Sequence, residues 1–300
     1  MSQDLESIAA TLVADGKGIL AAVPIPFGSG VVFSWREDPR RHLRHTWGDI
    51  AMADSRTALL PFDAVLFDLD GVLTSTAKIH AACWKSMFDD FLRKHAGSSQ
   101  QPFTPFDTEE DYKRYVDGKP RYEGVRSFLE SRSITLPYGS PADDPVTESV
   151  CGLGNRKDEL VKQAIAAGKV EAYPGSVALL RKLRELKVLI GVVSSSNNCE
   201  EVLEAAGIAD FFAARVDGIV ATERNLHGKP APDTFLHAAH ILDVPPKSAV
   251  VVEDALAGVE AGRAGRFGLV VGVDRSDVGA LLRQHGADIV VTDLAELIPS

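Results

Sequence analysis

Two carboxylates, Asp68 and Asp70, flank Leu69 where the apolar run Ala64-Val65-Leu66-Phe67 breaks and then turns at Gly71. The run is short and continuously apolar and so predicts a buried strand; acids at its end are costly without a cation or hydrogen-bond donors. In open parallel sheets the carboxyl ends of strands face the crevice where ligands bind. A carboxylate there can attack phosphorus and form an aspartyl-phosphate. A second one can protonate the leaving oxygen and later deprotonate the acceptor. Asp68 fits the first role and Asp70 the second. An isolated Asp-x-Asp-Gly also reads as a plain turn beside a strand, so the rest of the chain must decide.

Three later segments bear on that choice. A second buried strand over 187–193 ends in Ser194-Ser195-Ser196-Asn197-Asn198. Its hydroxyls and amides can hold phosphate oxygens, and a helix over 200–206 adds its first N–H groups to the same anion site. Such a cluster taken alone also serves as an N-cap and turn. Lys229 sits between Gly228 and Pro230, ahead of an amphipathic stretch; an ammonium fixed there neutralises both a nucleophile and an incoming phosphate. A third apolar run from 249 enters Glu253 and Asp254. With Asp68 these acids offer oxygen ligands to a hard cation such as Mg²⁺.

The four motifs, Asp68-x-Asp70, Ser194, Lys229 and Glu253-Asp254, resemble in type and order those of the haloacid dehalogenase superfamily of phosphotransferases. The stretch from Asp68 through Thr76 and His80 to Trp84 and Lys85 is similar to the β-phosphoglucomutase group of that superfamily, and the likeness runs from about residue 61 to the end. The resemblance implies an α/β fold with a Rossmann-like parallel-sheet core and an inserted α-helical cap. It also implies Mg²⁺ as cofactor, a sugar phosphate as substrate and a sugar bisphosphate as intermediate or activator. Asp68, Asp70, Ser194 and Lys229 match the family's catalytic residues, and Asp68, Asp70, Glu253 and Asp254 its metal site. Thr76 and His80 match hinge residues that couple cap closure to acid/base readiness. Gly118 and Arg121 match a substrate-recognition loop, Lys157 a cap lysine that reaches the active site, and Ser195, Ser196 and Asn198 the substrate-binding loop after Ser194. Two positions depart from the mutase pattern: Asp117 and Asn197 stand where basic residues are usual, which weakens a distal phosphate site, and Lys119 is the candidate replacement. The implied reaction converts β-glucose 1-phosphate to glucose 6-phosphate. A sugar-phosphate phosphatase is the alternative, and a non-catalytic sugar-phosphate sensor or partner-binding module is the reading that the intact acid pair disfavours.

Composition agrees with such an enzyme. The chain has 300 residues and a net charge of -10, which argues against nucleic-acid and anionic-membrane partners. No apolar run approaches a membrane span, and the start of the chain lacks a basic secretory segment. Cys83, Cys151 and Cys199 are odd in number and scattered without metal-ligand spacing, so a reduced, cytoplasmic chain is expected.

The elements that must position these residues fall into three parts. Strands alternate with amphipathic helices over 61–79 and 170–300, the pattern of a parallel-sheet core, with helices expected over 177–186, 200–206 and 233–242. The intervening 80–169 reads as a helical cap, with helices over 79–94, 109–116, 124–131 and 155–167 and surface loops over 98–106 and 136–145. Residues 1–60 form an extension of unknown role. Helical periodicity appears over 4–13, and 15–22 resembles the start of a class I fructose-bisphosphate aldolase, but no second aldolase-like stretch follows. Arg36, Arg40, Arg41, Arg44 and His45 form a basic patch that reads as a solvated face or packing arm.

Overall fold

The computed structural model describes residues 19–24, 31–36, 58–59, 61–99, 102–168 and 170–299. In the amino-terminal unit, Ile19–Pro24 (β1) and Val31–Arg36 (β2) pair antiparallel, with Ile19 opposite Arg36. The periodic stretch 4–13, the first half of the aldolase-like stretch, and Arg40, Arg41, Arg44 and His45 lie outside the described residues.

The second unit begins with Ala64–Phe67 (β3), the strand the sequence predicts. A helical region follows: Thr76–Ser99 (α1), a π-helical turn Tyr112–Val116, Arg121–Ser131 (α2) and Val150–Ala166 (α3). The chain then alternates through Pro174–Glu185 (α4), Leu189–Val193 (β4), Cys199–Ala205 (α5), Ala214–Val216 (β5), Gly218–Glu223 (α6), Asp233–Ile241 (α7) and Ala249–Glu253 (β6). Leu256–Ala264 (α8), Leu269–Val273 (β7), Gly279–Gln284 (α9) and Ile289–Val291 (β8) complete it. Among the described residues no helix is long and apolar enough to cross a membrane.

The six strands from β3 onward form one parallel sheet in the order β5-β4-β3-β6-β7-β8. Its first strand in sequence lies inside, between β4 and β6, so the winding reverses at β3. That reversal opens a crevice at the carboxyl ends of the strands. Both faces of β3 are covered, as its continuous apolar run requires. Val65 and Phe67 pack with Leu179 and Leu183 of α4, whereas Ala64 and Leu66 pack with Phe235 and Ala238 of α7. In register, Phe67 lies beside Val192 and Val252, so the residues that follow each strand emerge together at one edge.

The inserted helical cap has a core of its own. Phe88 of α1 packs against Phe128 of α2 with ring centroids 4.1 Å apart and stacks on Trp84 at 5.2 Å. Ser149 caps α3 by accepting from Gly152 N at 2.9 Å, which starts the helix earlier than periodicity alone suggested. The expected surface loop over 98–106 needs correction at its end. Phe106 is buried against Phe88 at 5.3 Å, and its backbone N donates to Asp89 at 2.8 Å. A buried Phe contributes about 1.5–3 kcal/mol, and a lone aromatic in a Pro-rich segment carries no periodicity to reveal it.

Candidate active site

Three strand ends deliver the central groups. Asp68 continues β3, its N–H donating to Val252 O at 2.9 Å, while Ser194 continues β4 by donating to Val216 O at 3.0 Å, and Glu253 ends β6. Lys229, from the loop before α7, inserts between them. Its Nζ donates to Asp68 Oδ1, pairs with Glu253 Oε1 at 2.6 Å and reaches Val193 O at 3.2 Å. The second oxygen of Glu253 accepts from Ala255 N at 2.9 Å. Burial opposes the Lys229 charge, but Asp68 and Glu253 outweigh it and hold the ammonium pKa above its ordinary value.

One buried ammonium does not balance the acids. Carboxylate oxygens of Asp68, Glu253 and Asp254 all lie within 4.8 Å of one another. Burial, then neighbouring carboxylates, push Asp254 well above the ordinary carboxylate range; burial also raises Asp68, against the pull of Lys229. Three converging oxygen donors with surplus negative charge fit a divalent cation. Gly71 leaves them room. Its φ is +92°, and a Cβ there would lie 1.9 Å from Asp254 Oδ2, so only glycine suits both the turn and the packing.

Asp70 turns toward the cap. It accepts from the Thr76 hydroxyl, faces Ser194 Oγ at a long 3.4 Å, and lies 3.4 Å from His80 Nε2. His80 Nδ1 is 2.7 Å from Lys157 Nζ, which in turn stands over the Trp84 ring at 5.0 Å. Burial first, and Lys157 second, lower His80 to about 4, and burial lowers Lys157 to about 8. His80 is therefore neutral at pH 7.

Cap and core meet over this centre. Ser195 Oγ donates to Gly118 O at 2.8 Å, and a Cβ on Gly118 (φ +69°) would lie 3.1 Å from that of Ala255. The π-helical turn, where the sequence predicts an ordinary helix over 109–116, closes with Asp117 N donating to Tyr112 O at 3.0 Å and swings Asp117 inward. Burial, then Glu253, raises Asp117 to about 7, and the Tyr112 hydroxyl is hydrogen-bonded to it. A cavity of about 300 Å³ lies between, lined by Asp68, Asp70, His80, Arg121, Lys157 and Asp254 among others, with Gly118, Ser195 and Ser196 at its wall. Thr76, Lys229 and Asn198 are buried and support residues around the cavity.

All the site residues expected from sequence thus converge on one region. Lys119, the candidate replacement for the missing basic residues, lines the cavity, and its Nζ donates to Ser127 of α2 at 3.0 Å. Some residues of the region are not among those expected to bind. Tyr112 and Asp158 become visible only through folding, although Asp158 adjoins Lys157 in sequence.

Comparison with known proteins agrees with this geometry. The haloacid dehalogenase-like hydrolase family matches residues 62–266, more than half of the chain. A β-phosphoglucomutase of Mycobacterium bovis is 50% identical over 238 residues, covering 78% of this chain and 91% of that protein. The β-phosphoglucomutase of Bacillus subtilis is 33% identical over 236 residues, with the same coverage of 78% and 91%. Among solved structures, a β-phosphoglucomutase from Clostridium difficile superposes with a TM-score of 0.62 at 26% identity, over 79% of this chain and 93% of that one. The chain belongs to the haloacid dehalogenase superfamily, in its β-phosphoglucomutase-like group, and is a phosphoryl-transfer enzyme.

Proposed function

We propose that this enzyme is a Mg²⁺-dependent β-phosphoglucomutase that converts β-glucose 1-phosphate to glucose 6-phosphate through an aspartyl-phosphate and a sugar bisphosphate. The observation that carries the reading is the pairing of two carboxylates with different surroundings. Asp68 faces Lys229 and the acid cluster, and Asp70 faces Thr76, Ser194 and His80. The first is suited to nucleophilic attack and the second to proton transfer. The 50% identity to the mycobacterial β-phosphoglucomutase favours isomerisation over hydrolysis.

In this reading the enzyme begins each turnover phosphorylated on Asp68. Asp70 takes the proton of the sugar 6-hydroxyl as that oxygen attacks phosphorus, and the bond from phosphorus to Asp68 breaks to give the bisphosphate. After the sugar turns over, Asp68 attacks the phosphorus of the 1-phosphate, Asp70 returns the proton to the leaving oxygen, and glucose 6-phosphate departs. Ser194 and Lys229 hold the transferring phosphoryl oxygens; Arg121, Ser196 and Asn198 grip the far phosphate, and Ser195 and Gly118 join the loops that enclose the sugar. Asp68, Asp254, Glu253 and the Asp70 carbonyl would hold Mg²⁺, which supplies charge neutralisation between nucleophile and phosphate. Thr76, His80 and Lys157 tie the position of Asp70 to closure of the cap.

For function we assign 61–79 and 170–300 to the catalytic core and 80–169 to the cap, with 1–60 an amino-terminal extension of unknown role. The odd, scattered cysteine set supports the cytoplasm as its compartment. The test is product analysis by phosphorus NMR, with β-glucose 1-phosphate, Mg²⁺ and a trace of bisphosphate. Glucose 6-phosphate is expected; release of inorganic phosphate and free sugar alone selects the phosphatase.

A further inference from the structure

Asp158 of α3 gathers partners from three elements. Its Oδ1 lies 2.9 Å from Arg121 Nη1 and accepts from Asn198 Nδ2 at 2.9 Å, while Oδ2 pairs with Lys162 Nζ at 3.0 Å. Arg121 opens α2 in the cap, and Asn198 precedes α5 in the core, so one carboxylate oxygen joins cap to core. Its side chain is only 14% exposed. Burial would raise its pKa, yet Arg121, Asn198 and Lys162 outweigh burial and keep the carboxyl below the ordinary range. Asp158 is thus a charged acceptor, firmly held.

The two groups on Oδ1, Arg121 by an ion pair and Asn198 by a hydrogen bond, are among those to which the mutase reading gives the far phosphate. A carboxylate oxygen between a guanidinium and an amide offers the negative acceptor that a phosphate oxygen would offer. The Asn198 N–H cannot serve both, the aspartate oxygen fills the space beside Arg121 Nη1, and a phosphate dianion beside an ionised aspartate adds repulsion. The second oxygen of Asp158 retains its lysine outside the contact, so the side chain has a partner to keep when Arg121 and Asn198 change theirs.

We propose that Asp158 is a specificity-determining residue, an internal anion that occupies Arg121 and Asn198 until the far phosphate of a substrate displaces it. The proposal rests on the mutase reading for the ligand, but not on the chemistry at Asp68. A ligand must bring a doubly charged phosphate to this point to repay the lost pair. A neutral sugar hydroxyl leaves the Asp158 contact in place.

The experiment is calorimetric titration of β-glucose 1,6-bisphosphate into the full chain carrying Asp68→Asn, with Mg²⁺, where no phosphoryl transfer occurs and both phosphate positions are engaged. Adding Asp158→Asn should tighten binding on the order of tenfold, the scale of one charge-assisted contact no longer broken. Asp158→Ser should act in the same direction. Glu159→Gln, which removes the same charge from the exposed neighbouring residue, should change binding less than about twofold. The gain should vanish when Arg121→Ala is also present. Unchanged or weaker binding with both Asp158 variants overturns the proposal, as does an equal gain without Arg121 or with Glu159→Gln, or the absence of bisphosphate binding throughout. Isomerisation by the unmutated protein reports separately on the mutase reading. A chain that gains affinity as expected but forms no glucose 6-phosphate keeps the displacement and loses the mutase.

Discussion

Lys157 Nζ lies 2.7 Å from His80 Nδ1, and both side chains are buried. Through His80 Nε2, 3.4 Å from Asp70, a cap lysine is connected to the proposed acid/base across the hinge. Two cations could not share this space. Burial and the Lys157 charge therefore keep His80 neutral, with its pKa lowered to about 4.

That lowering has a sign. Between its ordinary value of 6.5 and about 4, the unfolded chain protonates His80 and the folded chain does not. The contribution of His80 to stability is present above pH 6.5 and is lost as pH falls toward 4. Wild-type protein should lose melting temperature relative to His80→Gln as pH is lowered across that window. A constant difference between the two proteins from pH 7 to 4 would contradict the buried neutral histidine.

Gly71→Ala places a methyl group on a φ of +92°, where it meets Asp254 Oδ2. Backbone strain costs about 1–3 kcal/mol, and the displaced loop carries Asp70. Turnover should fall by about a hundredfold or more, the usual consequence of a misplacement on the order of 1 Å. Steady-state kinetics with circular dichroism on the same samples separate this from unfolding. Near-normal turnover in a folded variant would show that the turn and the acid cluster adjust independently.

The acid cluster predicts a dependence on divalent metal. Chelation, or Asp254→Ala, should eliminate turnover, and Mg²⁺ should raise the melting temperature of the wild type but much less that of the variant. Elemental analysis must accompany the assay. Full activity in metal-free protein would refute the assignment of Asp68, Glu253 and Asp254.

Arg121 pairs with Asp158 in the cap, and its proposed role is with the far phosphate. Arg121→Ala should lower isomerisation of β-glucose 1-phosphate by about two orders of magnitude or more, as loss of buried charge-assisted hydrogen bonds implies. Phosphate release from the phosphoenzyme should change far less. Phosphorus NMR follows both, and an equal fall in both rates would place Arg121 in the chemistry at Asp68.

The core was legible because its chemistry coincides with strand ends. The run of β3, continuous in apolar residues, announces a strand buried on both faces, and Asp68, Ser194 and Glu253 follow such runs directly. Helix ends were less legible. The start of α3 depends on the Ser149 cap, and the π-helical turn before Asp117 has no distinct periodicity. Tyr112 and Asp158 escaped for a different reason, since their partners lie on other elements and a polar residue on a helix reads as solvated until folding buries it. Phe106 illustrates the same limit in the cap, where one aromatic in a loop completes a core formed by three helices.

The central claim is covalent transfer through Asp68. Protein incubated with Mg²⁺ and β-glucose 1,6-bisphosphate, quenched in acid and digested, should carry one phosphoryl group on the peptide containing Asp68, labile to alkali as an acyl phosphate is. Asp68→Asn should carry none and should be inactive. A phosphoryl group on another residue, or wild-type turnover with no covalent label on Asp68 at any time of quenching, would contradict the account.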